Sequence, residues 1–397
     1  MRPPSVSSDA ALSPPASPAR LGTRAAERRR RSPHTMPYTT EFVNEYRTRI
    51  KADPDPEAQF TYAMYLIEVA RRIHDPADSR AARRTRDALL AESIKLVKRL
   101  AAAAPPYAEA QFFLANCYGN GSLGMQVDHA KSYHLYVQAS KQNHAAATYR
   151  SAVCNEIGAG TKSNPARALL FYRKAASLGD TAGMYKLGMI LLHGALGQPP
   201  VPREAIVWLR RAAGQADEDN PHALHELALL HENVDNGVVA PDAVLARNLF
   251  MQAAQLGYTP SQVRLGDIYA NGLLGCPVDA RASIGWHTLA ANKGDGHSEL
   301  ALSGWFLTGA SGVLQQSDTE AYLWARRAAG KGISKAEYAV GYYTEAGIGV
   351  AADIDEARRW YARAAAQGDA RAQRRLADIR ASLPRGSRRD DSDCIIM

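Results

Sequence analysis

The chain has 397 residues, 46% of them apolar and 22% charged, with a formal net charge of +8 and a pI near 9.3. That excess sits at the ends: residues 1–35 hold seven Arg against Asp9 and Glu27, residues 380–397 hold four Arg against three Asp, and the rest is nearly neutral at 37 basic against 35 acidic. A near-neutral body argues against nucleic acid as a partner, and the lack of a secretory h-region or of 18 consecutive apolar residues points to a cytosolic chain.

Residues 1–35 are rich in Pro, Ser, Ala and Arg, with a run from Arg28 to Arg31, and read as a disordered basic arm. Met36 offers an alternative start. Residues 36–100 read as a helical N-terminal capping region with a degenerate repeat, carried by Ala58, Phe60, Tyr62, Ala63, Tyr65 and Leu66, then Leu89, Ile94, Leu96, Val97 and Leu100. The Arg-rich stretch from Arg80 to Arg86 is expected between its two helices.

Seven repeats are expected over 101–370. Each has a first helix with a small residue in its middle, a Gly-containing turn, and a second helix ending in a pair of small residues. The pairs are Ala139-Ser140, Ala175-Ala176, Ala212-Ala213, Ala253-Ala254, Ala290-Ala291, Ala328-Ala329 and Ala364-Ala365, at steps of 36, 37, 41, 37, 38 and 36 residues. This period predicts an all-α fold, a right-handed superhelical solenoid of helix-turn-helix repeats, whose exposed surface suits protein partners. The 41-residue step carries the extra segment Gln215 to Pro221 and is the place where a partner is expected.

Asp353 with Glu356 and Ser317 with Glu320 read as capping boxes, and Asn164-Pro165 as a cap followed by Pro at the first helical position. Gly188, Gly266, Gly304 and Gly341 fall inside first helices, where Gly costs roughly 1 kcal/mol relative to Ala. Close packing must offset that cost. The expected filling is Trp208, Trp286, Trp324 and Trp360, with Leu249-Phe250 in place of the missing Trp. Residues 371–382 read as a C-terminal capping helix, with Ala372, Leu376 and Ile379 inward and Arg371, Arg374, Arg375 and Arg380 in water.

Residues 383–397 read as a flexible tail ending in Cys394-Ile395-Ile396-Met397, a CaaX box. The expected modification is S-farnesylation and methyl esterification of Cys394 after removal of Ile395, Ile396 and Met397, since a terminal Met favours farnesyl. One such chain gives only marginal membrane affinity, so a second anchor is required. Cys117, Cys154 and Cys276 show no metal or disulfide spacing and read as packed thiols.

No catalytic, cofactor or metal residues are assigned. Gly119 to Gly124 spells G-x-G-x-x-G but follows a helical segment, where a dinucleotide fingerprint needs a strand. Gly158 to Ser163 resembles a phosphate loop but lacks Gly before Lys162. His222, His225 and His231 with Glu226 and Glu232 are the densest titratable cluster, yet they fit a first helix of the repeat and align no third ligand. Tyr118, Tyr269, Tyr342 and Tyr343 are candidates for partner contact.

The repeat resembles the Sel-one-like repeat, a relative of the tetratricopeptide repeat. Ser140–His144, Ala152–Thr161, His222–Leu227, Leu302–Trp305 and Gln316–Arg327 go further and resemble the fungal chitin synthase activators, over roughly residues 57–380. That family also ends in a prenylation box. The resemblance implies a non-enzymatic activator and adaptor that binds the chitin synthase catalytic subunit and a septin-associated scaffold protein. It implies peripheral, lipid-anchored attachment at the cytoplasmic face of the plasma membrane, at bud neck or septum. The short N-terminal arm departs from many relatives. A membrane-associated signalling or chaperone scaffold is the alternative reading.

Overall fold

A computed structural model describes residues 37–73, 80–235 and 237–382. The arm at 1–35 and the tail at 383–397, with Cys394, lie outside the described residues. Among the described residues there are 18 α-helices and no strand, and no helix is long and apolar enough to cross a membrane. The chain divides into two compact units between Val127 and Asp128.

The first unit contains α1 (Thr40–Lys51), α2 (Pro56–Arg72), α3 (Arg80–Ala101) and α4 (Ala108–Asn120). Asp55 starts α2 by accepting from the amides of Glu57 and Ala58 at 3.1 and 3.2 Å, with Pro56 at the first helical position, where it needs no donor. The core is aromatic. Tyr46 meets Tyr62 at 5.0 Å and Tyr65 at 5.5 Å between ring centroids, and Phe42 meets Tyr65 edge-on at 5.9 Å. Glu92 of α3 takes a forked ion pair from Arg47 and a 3.0 Å hydrogen bond from the Tyr62 hydroxyl, joining all three helices. The expectation of an Arg-rich connector is corrected here: Arg80 to Arg86 form the first two turns of α3, because Ala81, Ala82 and the long Arg side chains favour helix and no Gly or Pro interrupts them.

The second unit begins with α5 (His129–Lys141). It continues as the pairs α6 (Ala145–Ile157) with α7 (Pro165–Ser177), α8 (Thr181–His193) with α9 (Pro202–Gly214), and α10 (His222–Glu232) with α11 (Ala243–Gln255). Three further pairs follow: α12 (Thr259–Asn271) with α13 (Ala280–Asn292), α14 (Gly296–Thr308) with α15 (Asp318–Ala329), and α16 (Ser334–Ala346) with α17 (Ile354–Ala366). A last helix, α18 (Ala370–Ser382), packs on α17. The first alanine of every terminal pair is fully buried. Its carbonyl has a second use: those of Ala175, Ala253, Ala290 and Ala364 accept the amides of Asp180, Tyr258, Asp295 and Asp369 at 3.0–3.1 Å, so the residue that ends one repeat starts the next.

Helix starts are capped as the sequence predicts. Asp353 accepts from Asp355 and Glu356, Ser317 from Glu320, and Asn164 from Arg167 ahead of Pro165. The reciprocal arm of the capping box is replaced. The amides of Asp353, Ser317 and Asn164 donate instead to the carbonyls of Thr344, Phe306 and Asn155 at 2.7–3.0 Å, closing the turn between the two helices of a repeat. Glu356 faces the Trp360 indole N–H, 3.4 Å away.

Two packing expectations need correction. The four Trp are half-buried, and the enclosed side chain is the next residue in each helix: Leu209, His287, Ala325 and Tyr361. Arg211, Arg327 and Arg363 lie over Trp208, Trp324 and Trp360 at 4.3–4.9 Å from the ring centroid, so one indole face is packed and the other carries a cation. Close approach does explain three of the glycines: a Cβ on Gly188, Gly266 or Gly341 would meet Leu209, His287 or Tyr361 at 2.5–2.8 Å. Gly304 has open space instead. The small position of that repeat is its neighbour Ser303, fully buried, whose hydroxyl donates to the Ala321 carbonyl at 2.7 Å.

In α18, Ala372 and Ile379 are buried. Two of its arginines do more than face water. Arg375 pairs with Glu345 of α16, and Arg371 pairs with Asp369 at 3.0 Å while lying over the Tyr338 ring. Cys117 and Cys276 are buried and Cys154 is half-buried, and burial pushes the Cys117 and Cys154 thiols up, as packed thiols require.

Candidate partner-binding surface

The fourth residue after the start of the first helices brings Tyr149 of α6 and Tyr185 of α8 into one row, 36 residues apart in sequence. The 41-residue step then breaks the row's regularity. Its loop, Gln215 to Pro221, is a built turn: Asp217 Oδ1 accepts from the amides of Asp219 and Asn220 and from the Asn220 side chain at 2.9–3.1 Å, and Thr181 donates to Gln215 at 3.3 Å. Between this loop and the first helices lies a cavity of about 250 Å³, walled by Tyr149, Tyr185 and His222 and edged by Thr181, Asp219 and Asn220.

The aromatic wall extends into the next repeat. The His222 ring lies 5.4 Å from Tyr185 and 5.0 Å from Tyr258, and His225 lies 5.2 Å from Tyr258 and 5.4 Å from Phe250. His225 Nδ1 and the Ser261 hydroxyl are 2.8 Å apart. Burial, with a smaller contribution from His222, pushes His225 down to about 4, so the ring is neutral at physiological pH. Burial and then the nearby Glu226 charge push Tyr185 up to about 12, and burial raises Tyr149 and Glu226. The cavity is lined by two tyrosine rings and an imidazole and edged by polar groups, which suits an apolar or aromatic side chain flanked by polar backbone.

The five titratable residues read as a cluster do not converge. His231 Nδ1 faces the Ala240 carbonyl at 3.0 Å, and Glu232 pairs with Arg264 of α12. No group of three or more His, Cys, Asp or Glu among the described residues is placed to hold a metal ion. Gly121 of the G-x-G-x-x-G stretch ends α4 with φ 69°, and Gly158 ends α6 in the same way. Of the four tyrosines expected at the surface, Tyr342 is exposed and Tyr118 and Tyr269 are half-buried. Tyr343 belongs to the core, with its hydroxyl 3.1 Å from Ser303. Tyr149 and Tyr185 were not singled out by the sequence, although their 36-residue spacing is a usable signal.

The fold defines a helix-pair repeat scaffold. The chain belongs to the Sel1 repeat family, which it matches at residues 108–144, 145–180, 181–217, 221–258, 259–295, 296–333 and 334–369. It is 36% identical over 352 residues to chitin synthase regulatory factor 3 of Schizosaccharomyces pombe, covering 87% of this chain and 38% of that protein. It is 40% identical over 344 residues to the chitin synthase regulator SKT5 of Malassezia restricta, covering 83% of this chain and 23% of that one. The chain thus spans well under half the length of these relatives. A solved Escherichia coli structure, the uropathogenic antigen c5321 with an SLR fold, superposes with a TM-score of 0.69 at 23% identity, covering 86% of this chain and 68% of that one, and supports the fold. Both relatives are named as regulators of chitin synthase.

Proposed function

We propose that this chain is a non-enzymatic regulator of chitin synthase, which binds the synthase catalytic subunit through its repeat array and promotes its activation or localisation for septum and cell-wall chitin. The observation that carries this reading is the extent of the match. An alignment of 352 residues runs beyond the repeats at 108–369, so shared repeat pattern alone does not account for it. The cavity at the 41-residue step is the proposed anchor point for a segment of the synthase.

In this reading Cys394 carries a farnesyl group that holds the protein at the cytoplasmic face of the plasma membrane, at bud neck or septum. A septin-associated scaffold is the proposed second partner. Tethering turns each weak contact into an intramolecular one and makes a reversible assembly firm.

The test is capture from detergent-solubilised fungal membranes with the full chain. Recovery of a chitin synthase supports the reading, and recovery of chaperones alone overturns it. Thr181→Arg, which places a long cation at the mouth of the cavity from the first turn of α8, is expected to lower capture at least about tenfold with unchanged helicity. Unchanged capture would move the anchor point elsewhere on the array. Cys394→Ser should leave capture intact and shift the protein from the membrane to the soluble fraction; unchanged membrane retention removes the lipid from the mechanism.

A further inference from the structure

The near-neutral charge of the folded body conceals a local asymmetry. In α3, Arg80, Arg84, Ala91, Lys95 and Lys98 follow one another at intervals of four, seven, four and three residues, which places them on one helix face. All five are exposed. From Arg80 to Lys98 the stripe is about 27 Å long at about 1.5 Å per residue. The opposite face holds Leu89, Ser93, Val97 and Leu100 in the core, with the Ser93 hydroxyl donating to the Ala63 carbonyl of α2 at 2.8 Å, so the helix cannot rotate to hide its cations.

Three features of the stripe narrow what it fits. Among the described residues, the side chains of Arg80, Arg84, Lys95 and Lys98 form no ion pair or hydrogen bond, and the single carboxylate on the face is Asp87, 3.8 Å from Arg86. The spaces between the cations are filled by Ala81, Ala88 and Ala91, all exposed and all short, so a flat surface can approach the whole length. The face presents no aromatic ring on which a base could stack and no large apolar side chain that could anchor a protein partner.

We propose that this face of α3 is a docking surface for an anionic phospholipid bilayer. Charge complementarity and the flat, alanine-floored geometry favour this occupant. It answers a physical need of the proposed attachment, because a single prenyl chain gives only marginal retention and a basic patch is the second signal that makes it stable. The inference does not depend on chitin synthase, and it is testable without the lipid on Cys394.

The full unlipidated chain, made in bacteria, is sedimented with phosphatidylcholine vesicles that either contain about 30% phosphatidylserine or contain none. Binding is expected with the anionic vesicles only, and it should disappear at about 1 M salt, where the screening length falls to about 3 Å. Each cation is expected to contribute about fivefold, so Arg80→Gln, Arg84→Gln, Lys95→Gln and Lys98→Gln together should weaken binding more than about a hundredfold. Far-ultraviolet circular dichroism checks the fold, and the Lys95→Gln, Lys98→Gln pair serves if the fourfold variant fails that check. Equal sedimentation with neutral vesicles, or unchanged binding by a folded variant, overturns the proposal. Salt-sensitive binding to duplex or single-stranded RNA with no binding to vesicles overturns it in favour of a nucleic-acid surface.

Discussion

In the repeat array a buried alanine recurs at every step, and at Ala175, Ala253, Ala290 and Ala364 its carbonyl holds the start of the following helix, whereas in the N-terminal unit five aromatic residues from Tyr38 to Tyr65 gather around one centre. The two regions bury their helices by opposite means. In the array the fit is made pair by pair, small against large: Gly341 under Tyr361, Gly266 under His287, Gly188 under Leu209. The N-terminal unit has no such register, and its helices are held by rings that each touch several others. A ladder of local fits should therefore fail at single atoms, and a shared aromatic centre should fail by loss of volume.

The largest effect is expected at that centre. Tyr65 is fully buried, meets Tyr46 and Phe42, and donates its hydroxyl to the Pro37 carbonyl at 2.5 Å. Tyr65→Ala should cost about 3–5 kcal/mol, read from urea unfolding, and a loss below about 1 kcal/mol would deny the aromatic centre its role. In the array Gly349, at φ 68°, is one of two positions, with Gly160, where a Cβ would fall on a backbone carbonyl, here that of Asp318 in α15. Gly349→Ala combines left-handed strain of about 1–2 kcal/mol with overlap against backbone of about 1–3 kcal/mol. Gly368→Ala has the strain at φ 87° with open space around it, and should show the smaller part alone. Equal losses at the two sites would break the claim that the array is limited by steric register.

A difference in pH response sharpens the same contrast, since nine of the eleven His lie beyond residue 128. His225 is ordinarily near 6.5 and is held at about 4 by burial. Between these values the unfolded chain binds a proton that the folded chain does not, so stability is complete above about pH 6.5 and falls as pH drops toward 4. The loss is about 3 kcal/mol at most, and burial moves His287 in the same direction. His225→Asn should flatten that part of the profile in urea titrations at successive pH values, and an unchanged slope would assign the response to other groups.

These contrasts also explain what was legible in the sequence. The ladder is local and periodic, so Ala139 to Ala364, the caps at Asn164, Ser317 and Asp353, and the all-helical fold could be read from spacing. The register of the large partner could not. Hydrophobicity ranks Trp360 above Tyr361, but an indole with Arg363 on its outer face is stable half-exposed, and the enclosed position falls one residue later. Gly304 misled in the same way, because Ser303 is small enough for the tight position once its hydroxyl has the Ala321 carbonyl. The cavity was legible only in part: the 41-residue step marked an irregular place in the ladder, while Tyr149 and Tyr185, which share the cavity wall, were signalled only by their 36-residue spacing.

The smallest expected effect tests how far the repeats lean on their caps. Asp353 accepts two amides of α17 while its own amide donates to Thr344, so side chain and backbone act at the same point. Asp353→Ala removes only the first, and about 1 kcal/mol should be lost. Asp353→Pro removes the backbone donor as well and leaves the buried Thr344 carbonyl without that bond, which adds about 1–3 kcal/mol. If the two variants unfold at the same urea concentration, the turn-closing hydrogen bond contributes nothing beyond the cap, and packing of the small and large partners alone sets the register of the array.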